Sequence, residues 1–113
     1  MTRRCSIALA ALLAPLSAPA LAAPPPSTDG ALLASACAGR DGWSEPAPPV
    51  HVEGNTWYVG TCGITVLLVS TPGGLVLIDS GPMDAAPLVL ANIARLGFKA
   101  SEVRWLLTTH EHH

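Results

Sequence analysis

The sequence predicts an α/β fold in which a sheet of apolar strands is flanked by helices. Two segments, 64–70 and 75–81, are rich in branched apolar residues and are separated by a short turn. A helical pattern follows over 84–97, and another apolar segment occupies 103–110. The order β-β-β-α-β, with strands that are apolar on both faces, is typical of a layered α/β sheet. With 113 residues, the chain is long enough for one small domain.

The first segment, 1–22, has the features of a secretory signal peptide. A basic start, MTRR, precedes a stretch of apolar and small residues, and ALA at 20–22 supplies the small-x-small pattern that signal peptidase recognises. Pro15 and Pro19 interrupt this stretch, which falls short of the roughly 20 apolar residues that span a bilayer. We therefore expect cleavage after Ala22, export to the periplasm and no membrane attachment of the mature chain.

Residues 23–50 are predicted to form a proline-rich N-terminal extension. The segment APPPSTDG has no apolar periodicity and is typical of a linker. A helical turn or two is predicted around Leu32, Leu33 and Ala36. The prolines of SEPAPPV then enforce an extended path up to residue 50.

Two cysteines remain after the expected cleavage, because Cys5 lies in the signal peptide while Cys37 and Cys62 do not. In an oxidising periplasm such a pair can form a disulfide. Two separate buried thiols are the alternative, and the sequence spacing does not decide between them.

The next segments are predicted to be strands. HVEGNTWYVGT, from residue 51, contains two extended pieces separated by a turn at Gly54 and Asn55. ITVLLVS (64–70) is continuously apolar, as a strand covered on both faces would be. TPGG then connects it to the strand LVLIDSG (75–81), and so short a connection predicts an antiparallel hairpin.

A helix and a final strand complete the predicted elements. Asp84 is expected to cap the helix, whose apolar face is formed by Val89, Ile93 and Leu96. Gly97 is a natural end for it. The segment VRWLLTTH then forms a strand with a polar carboxyl end.

Charge and composition exclude one class of partner. The six basic residues are scattered, the formal net charge is −2, and no basic patch forms. We therefore expect no nucleic-acid partner.

Two histidines leave the final strand together. His110 and His112 are separated by one residue, so in an extended backbone both imidazoles point the same way and could bind one ion. Neutral imidazole is a good zinc ligand. Alone, the pair is a weak signal, because surface histidine pairs are common. Its position at the end of a strand strengthens the interpretation as a metal site.

Four ordered segments together resemble one known family. GNTWYVGTCG, LIDSG, LGF and THEHH, in this order and spacing, resemble the metallo-β-lactamase superfamily, most closely its subclass B3. The similarity extends from about Gly39 to His113, practically the whole mature chain. It implies the four-layer αββα sandwich of that family, of which this chain would be a truncated N-terminal half. Residues 51–113 would then be a partial metallo-β-lactamase domain.

The resemblance implies a zinc site. His110 and His112 match the first two histidines of the family's T-H-x-H-x-D-H motif, and the other ligands would lie beyond residue 113. Complete members hold two zinc ions, and this chain would hold at most a weak partial site. Asp79 matches a position that we interpret as a partner of the metal-bearing loops, although a cap on a strand-to-loop turn is an equal alternative. Cys37 and Cys62 align with a disulfide of some subclass members.

The implied activity is zinc-dependent β-lactam hydrolysis, and therefore antibiotic resistance, with a β-lactam as the small-molecule partner. The implied catalytic group is a zinc-bound water, so no catalytic side chain is expected in the chain itself. Two alternatives remain open: a hydrolase of the same fold that acts on another ester, a thioester or a lactone, and a truncated product without catalysis. We expect the 113-residue chain by itself to be inactive.

Overall fold

A computed structural model describes residues 29–110. The predicted signal peptide and the first residues of the predicted extension lie outside the described residues, as does His112. The described part has the α/β class predicted from the sequence. It contains the helices α1 (Asp29–Ala36) and α2 (Ala86–Arg95) and the strands β1 (Val50–Glu53), β2 (Thr56–Tyr58), β3 (Leu67–Thr71), β4 (Gly74–Ile78) and β5 (Val103–Leu107).

The five strands form one sheet in chain order. The pairs β1–β2, β2–β3 and β3–β4 are antiparallel, so the hairpin predicted around TPGG is confirmed. Strand β5 runs parallel to β4 after the chain crosses over through α2. Because parallel neighbours end at the same edge, the residues after β4 and those after β5 come together.

Two details differ from the sequence-based prediction. Four strands precede α2, because the two extended pieces on either side of the predicted turn at Gly54 and Asn55 form the separate strands β1 and β2, whereas the predicted order β-β-β-α-β counts them as one. Strand β3 begins at Leu67 rather than at residue 64, because the chain first makes a tight turn. In that turn the Thr61 amide donates to the Ile64 carbonyl at 3.0 Å.

The core lies between one face of the sheet and α2. Val66, Leu68 and Leu75 of the sheet side are buried against Val89 and Ile93 of the helix, as the helical periodicity predicts. Burying such side chains stabilises the fold by about 1.5–3 kcal/mol each.

The expectation that strands are covered on both faces does not hold for β5. Trp105, Leu106 and Leu107 are 49%, 56% and 53% exposed, and consecutive side chains of a strand point to opposite faces, so among the described residues both faces of this edge strand are largely uncovered. Among residues 29–110, no helix is both long and apolar enough to cross a membrane.

Helix α2 does not begin as predicted. Asp84 lies in a short 3₁₀ turn, Met83–Ala85, and the helix starts at Ala86 without a side-chain cap. The Asp84 carboxylate instead accepts a hydrogen bond from the Ser44 hydroxyl at 3.4 Å. A partner from another segment therefore replaces the local capping role.

Gly97 ends α2, as predicted. Its backbone conformation leads to a testable prediction. Its φ of +85° is a left-handed conformation, and a Cβ added there would meet nothing within 4 Å. Gly97→Ala should therefore destabilise the fold by about 1 kcal/mol through backbone strain alone. Gly30→Ala is the matched control, because Gly30 also faces open space but lies in α1 with no positive φ. Urea unfolding of both variants checks this, and equal midpoints for the two would contradict it.

Candidate functional site

A cleft of about 720 Å³ lies at the carboxyl ends of β4 and β5. Three loops line it, namely residues 63–65, residues 79–83 after β4, and residues 108–110 after β5, and Trp43 closes one side. Loops beyond the carboxyl ends of parallel strands are where open α/β sheets place their ligand sites. Trp43, Ile64 and Met83 make part of the lining apolar.

Asp79 joins the ends of the two parallel strands. Its amide donates to the Leu107 carbonyl at 2.7 Å. Its carboxylate accepts two bonds from a single residue: the Thr109 amide donates to Oδ1 at 2.9 Å, and the Thr109 hydroxyl donates to Oδ2 at 2.7 Å. Both carboxylate oxygens thus hold the segment that follows β5.

The backbone of Asp79 is strained. It has a φ of 60°, the only positive φ of a non-glycine residue among the described residues. Such a conformation costs roughly 1–2 kcal/mol for an L-residue, and aspartate is one of the residue types that tolerate it. The three hydrogen bonds that Asp79 makes to Leu107 and Thr109 offset this cost, so the strain is maintained where the candidate site is built.

His110 is the next residue along, and it is exposed. Its Nδ1 lies 2.8 Å from the Thr109 hydroxyl oxygen. The structure therefore connects Asp79, Thr109 and His110 in one chain of hydrogen bonds. His112, the second predicted ligand, lies outside the described residues.

The donor set is compatible with zinc but incomplete in the described residues. Among residues 29–110, no group of three or more histidine, cysteine, aspartate or glutamate side chains is placed to hold a metal ion. The hydrogen bond at His110 Nδ1 is compatible with metal binding at the other ring nitrogen, because a histidine that binds a metal through one nitrogen usually hydrogen-bonds through the other. What this part of the chain offers is one oriented imidazole beside a cleft.

The segment 40–47, here called the wall segment, contributes Trp43 to the lining of the cleft and is fixed to the loop after β2. Cys37 and Cys62 form a disulfide. The Cys62 amide donates to the Glu45 carbonyl at 2.9 Å, and the buried Thr61 hydroxyl donates to the Trp43 carbonyl at 2.7 Å. These bonds place Trp43 against the cleft.

Gly63 allows this close approach. A Cβ at residue 63 would lie 2.1 Å from the Asp41 carbonyl oxygen, a distance that no side chain can occupy. Nearby, the single proton of the Tyr58 hydroxyl is shared between the carbonyls of Thr61 and Ile64. Burial raises the pKa of Tyr58, and a hydrogen bond with the Thr65 side chain partly offsets that rise. The phenol therefore stays neutral and keeps its donor.

Asn92 of α2 also holds the wall segment in place. It is 4% exposed, and the two protons of its Nδ2 are shared among the carbonyls of Ala47, Val59 and Gly60, which lie at 3.1, 3.2 and 3.2 Å. One amide thus connects the helix to the wall segment and to the loop after β2.

The structure brings some of the sequence-predicted residues together and leaves others outside its range. Asp79 and His110 lie at one edge of the sheet and are connected through Thr109. Thr109 and Trp43 were not singled out from the sequence. A hydroxyl directly before a candidate ligand at a strand end was the available signal for Thr109, whereas Trp43 reaches the cleft only through tertiary contacts.

Comparison with known proteins gives a consistent result. The family model described as the metallo-β-lactamase superfamily matches residues 59–113. The crystal structure of the metallo-β-lactamase MIM-1 from Novosphingobium pentaromativorans is 67% identical, with a TM-score of 0.70, over 73% of this chain and 31% of that chain. The MIM-2 metallo-β-lactamase is 50% identical, with a TM-score of 0.71, over 74% of this chain and 32% of that one.

A third solved structure that the chain matches is identified as a member of a subclass. MEM-A1, a subclass B3 metallo-β-lactamase isolated from a soil metagenome library, is 41% identical, with a TM-score of 0.61, over 63% of this chain and 27% of that chain. The chain thus spans about a third of the length of the solved structures that it matches.

Proposed function

Because this chain belongs to the metallo-β-lactamase superfamily, we propose that it is the N-terminal part of an exported, zinc-dependent β-lactam hydrolase similar to those of subclass B3. The observation that carries the proposal is the 67% identity to MIM-1 over 73% of this chain, together with the family match to residues 59–113, which include every residue that lines the cleft except Trp43. In such a protein the reaction would contribute to β-lactam resistance.

The chain's own residues have defined roles in this proposal. His110 and His112 would be the zinc ligands that this chain contributes, and Asp79 would hold His110 through Thr109 rather than touch the metal. When bound, zinc supplies Lewis acidity and lowers the pKa of its water toward about 7. The loops around Trp43 and Met83 would bind the apolar parts of a substrate and exclude water.

Export is part of the proposal. The signal-peptide pattern of residues 1–22 favours cleavage after Ala22 and a periplasmic mature chain. The disulfide between Cys37 and Cys62 supports it, because disulfides persist in oxidising compartments.

Residues 51–113 are proposed as the part of the catalytic domain present in this chain. The preceding residues, 23–50, are proposed as its N-terminal extension. Helix α1 and the wall segment are bonded to the domain by the disulfide and by the bond from the His51 amide to the Asp29 carboxylate at 3.1 Å. The extension therefore acts as part of the cleft rather than as a free linker.

A chimaeric protein tests the activity. The chain is joined to the part of MIM-1 that follows the matched region, and hydrolysis of a chromogenic cephalosporin is measured with zinc and after chelation. We expect zinc-dependent turnover. His110→Ala and His112→Ala should each lower the rate by at least about 100-fold, because even partners outside the ligand set change metal affinity or activity by 10–100-fold.

His51→Ala is the control, because His51 bonds the Gly54 carbonyl in the β1–β2 turn, away from the cleft. Its rate should match that of the unchanged chimaera. Turnover of a lactone or thioester without β-lactam hydrolysis would move the assignment to another substrate class. The 113-residue chain alone should show no turnover, because zinc catalysis normally needs three protein ligands at one ion.

A further inference from the structure

One hydroxyl group lies between the carboxylate of Asp79 and the imidazole of His110. The Thr109 Oγ1 is 2.7 Å from Asp79 Oδ2 and 2.8 Å from His110 Nδ1. Both distances are those of good hydrogen bonds. The arrangement therefore constrains where the protons lie.

The number of protons on each group determines which partner donates each hydrogen bond. A threonine hydroxyl has one proton to donate, and an ionised carboxylate can only accept. The Thr109 proton therefore goes to Asp79, so the bond between Thr109 and His110 must be donated by the ring, from Nδ1–H. In the neutral imidazole the lone pair is then on Nε2.

The other hydrogen bonds of Asp79 hold its carboxylate in the orientation that this donor assignment requires. Its other oxygen, Oδ1, accepts the Thr109 amide at 2.9 Å, and its own amide is bonded to the Leu107 carbonyl at 2.7 Å. Two bonds to one residue fix the carboxylate relative to the hydroxyl, so the acceptor faces Thr109 in a defined orientation.

We propose that Thr109 is a positioning residue: it donates its proton to Asp79 and accepts the Nδ1–H of His110, which fixes this histidine as the Nδ1–H tautomer with its lone pair on Nε2. The tautomer is inferred from the two hydrogen bonds that join Asp79, Thr109 and His110. Its functional consequence rests on the proposed role of His110 as a zinc ligand.

Asp79→Asn gives the sharpest test, because it reverses the direction of the bonds. Asparagine also tolerates a positive φ, so the backbone can be kept. The oxygen of the new side chain can accept the Thr109 amide, which places its NH₂ group against the Thr109 hydroxyl. In this variant the hydroxyl accepts a bond from that NH₂ group and donates its own proton to His110 Nδ1. The ring therefore becomes the Nε2–H tautomer.

The measurement is the tautomer of each histidine in the metal-free chain, read from long-range ¹H–¹⁵N spectra of ¹⁵N-histidine-labelled protein. The spectra are recorded with a chelator at about pH 8.5, about two units above the ordinary histidine pKa, where neutral rings dominate. Loss of one set of signals in His110→Gln assigns His110. His51 is an internal reference, because its Nε2 lies 2.8 Å from the Gly54 carbonyl, which can only accept. It should be Nε2–H in every variant.

The expected pattern distinguishes positioning from simple packing. His110 should be Nδ1–H in the unchanged chain, Nε2–H in Asp79→Asn, and a mixture in Thr109→Val, which keeps the shape but loses the hydroxyl. Thr109→Ser should restore Nδ1–H. In the chimaera, zinc affinity should fall about 10–100-fold in Asp79→Asn and Thr109→Val and remain in Thr109→Ser, as measured by competition with a chromophoric chelator.

An Nε2–H ring at His110 in the unchanged chain would overturn the proposal without any variant, so misfolding of a variant does not decide the test. A mixture that is the same with and without the Thr109 hydroxyl would also overturn it. Because the spectra are recorded without metal or substrate, failure of β-lactam hydrolysis in the chimaera would refute the proposed function and leave the tautomer assignment standing.

Discussion

Asn92→Asp is expected to lower the free energy of unfolding by about 3 kcal/mol, because a buried carboxylate would face three carbonyl oxygens and would have only the exposed Arg95, 3.5 Å from Asn92 Oδ1, as a partner of opposite charge. The Asn92 amide donates to three carbonyls and is 4% exposed. An aspartate of the same shape would replace the donor by a charged acceptor that faces three other acceptors. Urea unfolding followed by tryptophan fluorescence measures the loss.

The loss of stability in Asn92→Asp should depend on pH in a defined direction. Burial would raise the pKa of the new carboxyl in the folded state above its unfolded value of about 3.9. The protonated acid is neutral and can donate one hydrogen bond, so the difference from the unchanged chain should shrink as the pH falls from that raised pKa toward about 4. A difference that grows on acidification would contradict this reasoning.

Asn55→Asp is the matched control. Asn55 also donates its amide to a backbone carbonyl, that of Ser70, but at an exposed position. Water can solvate a carboxylate there, so the loss should stay below about 1 kcal/mol. Equal losses for the two variants would show that burial is not the cause.

Reduction of the Cys37–Cys62 disulfide is the second large effect. The bond closes a loop of 25 residues, and losing it should lower the free energy of unfolding by about 3 kcal/mol, because the unfolded chain gains conformational freedom. The folded state is affected too, because Cys62 is adjacent to the bonds that hold the wall segment. The measurement is the urea midpoint of residues 23–113 with and without a dithiol reductant.

The double variant Cys37→Ala/Cys62→Ala serves as its control. It should unfold at the midpoint of the reduced chain and should not respond to the reductant. A reductant effect of the same size in this variant would mean that the reagent acts elsewhere.

Local sequence patterns predicted most of the elements, because each depends on neighbouring residues. The β3–β4 hairpin follows from two apolar segments around TPGG, and the end of α2 follows from Gly97, which has a positive φ. The role of Asp84 could not be read in this way, because its partner is Ser44, 40 residues earlier in the chain.

The candidate site also has features that the sequence predicts and features that it does not. Its residues after β4 and β5 could be expected at one edge, because an apolar strand, a helix and another apolar strand predict a parallel pair. The pairing of Asp79 with Thr109, 30 residues later, could not be expected, because it depends on the register between β4 and β5.

The sequence by itself determined the α/β class, the β3–β4 hairpin followed by α2 and β5, and the resemblance that points to zinc chemistry at His110 and His112, because apolar periodicity and short motifs are local properties. Only the tertiary structure decided that Thr109 connects Asp79 to His110, and that Trp43 lies against the cleft. The physical reason is that hydrogen bonds between distant segments depend on strand register, on a disulfide and on the close approach that Gly63 permits, and none of these is encoded by a short stretch of residues.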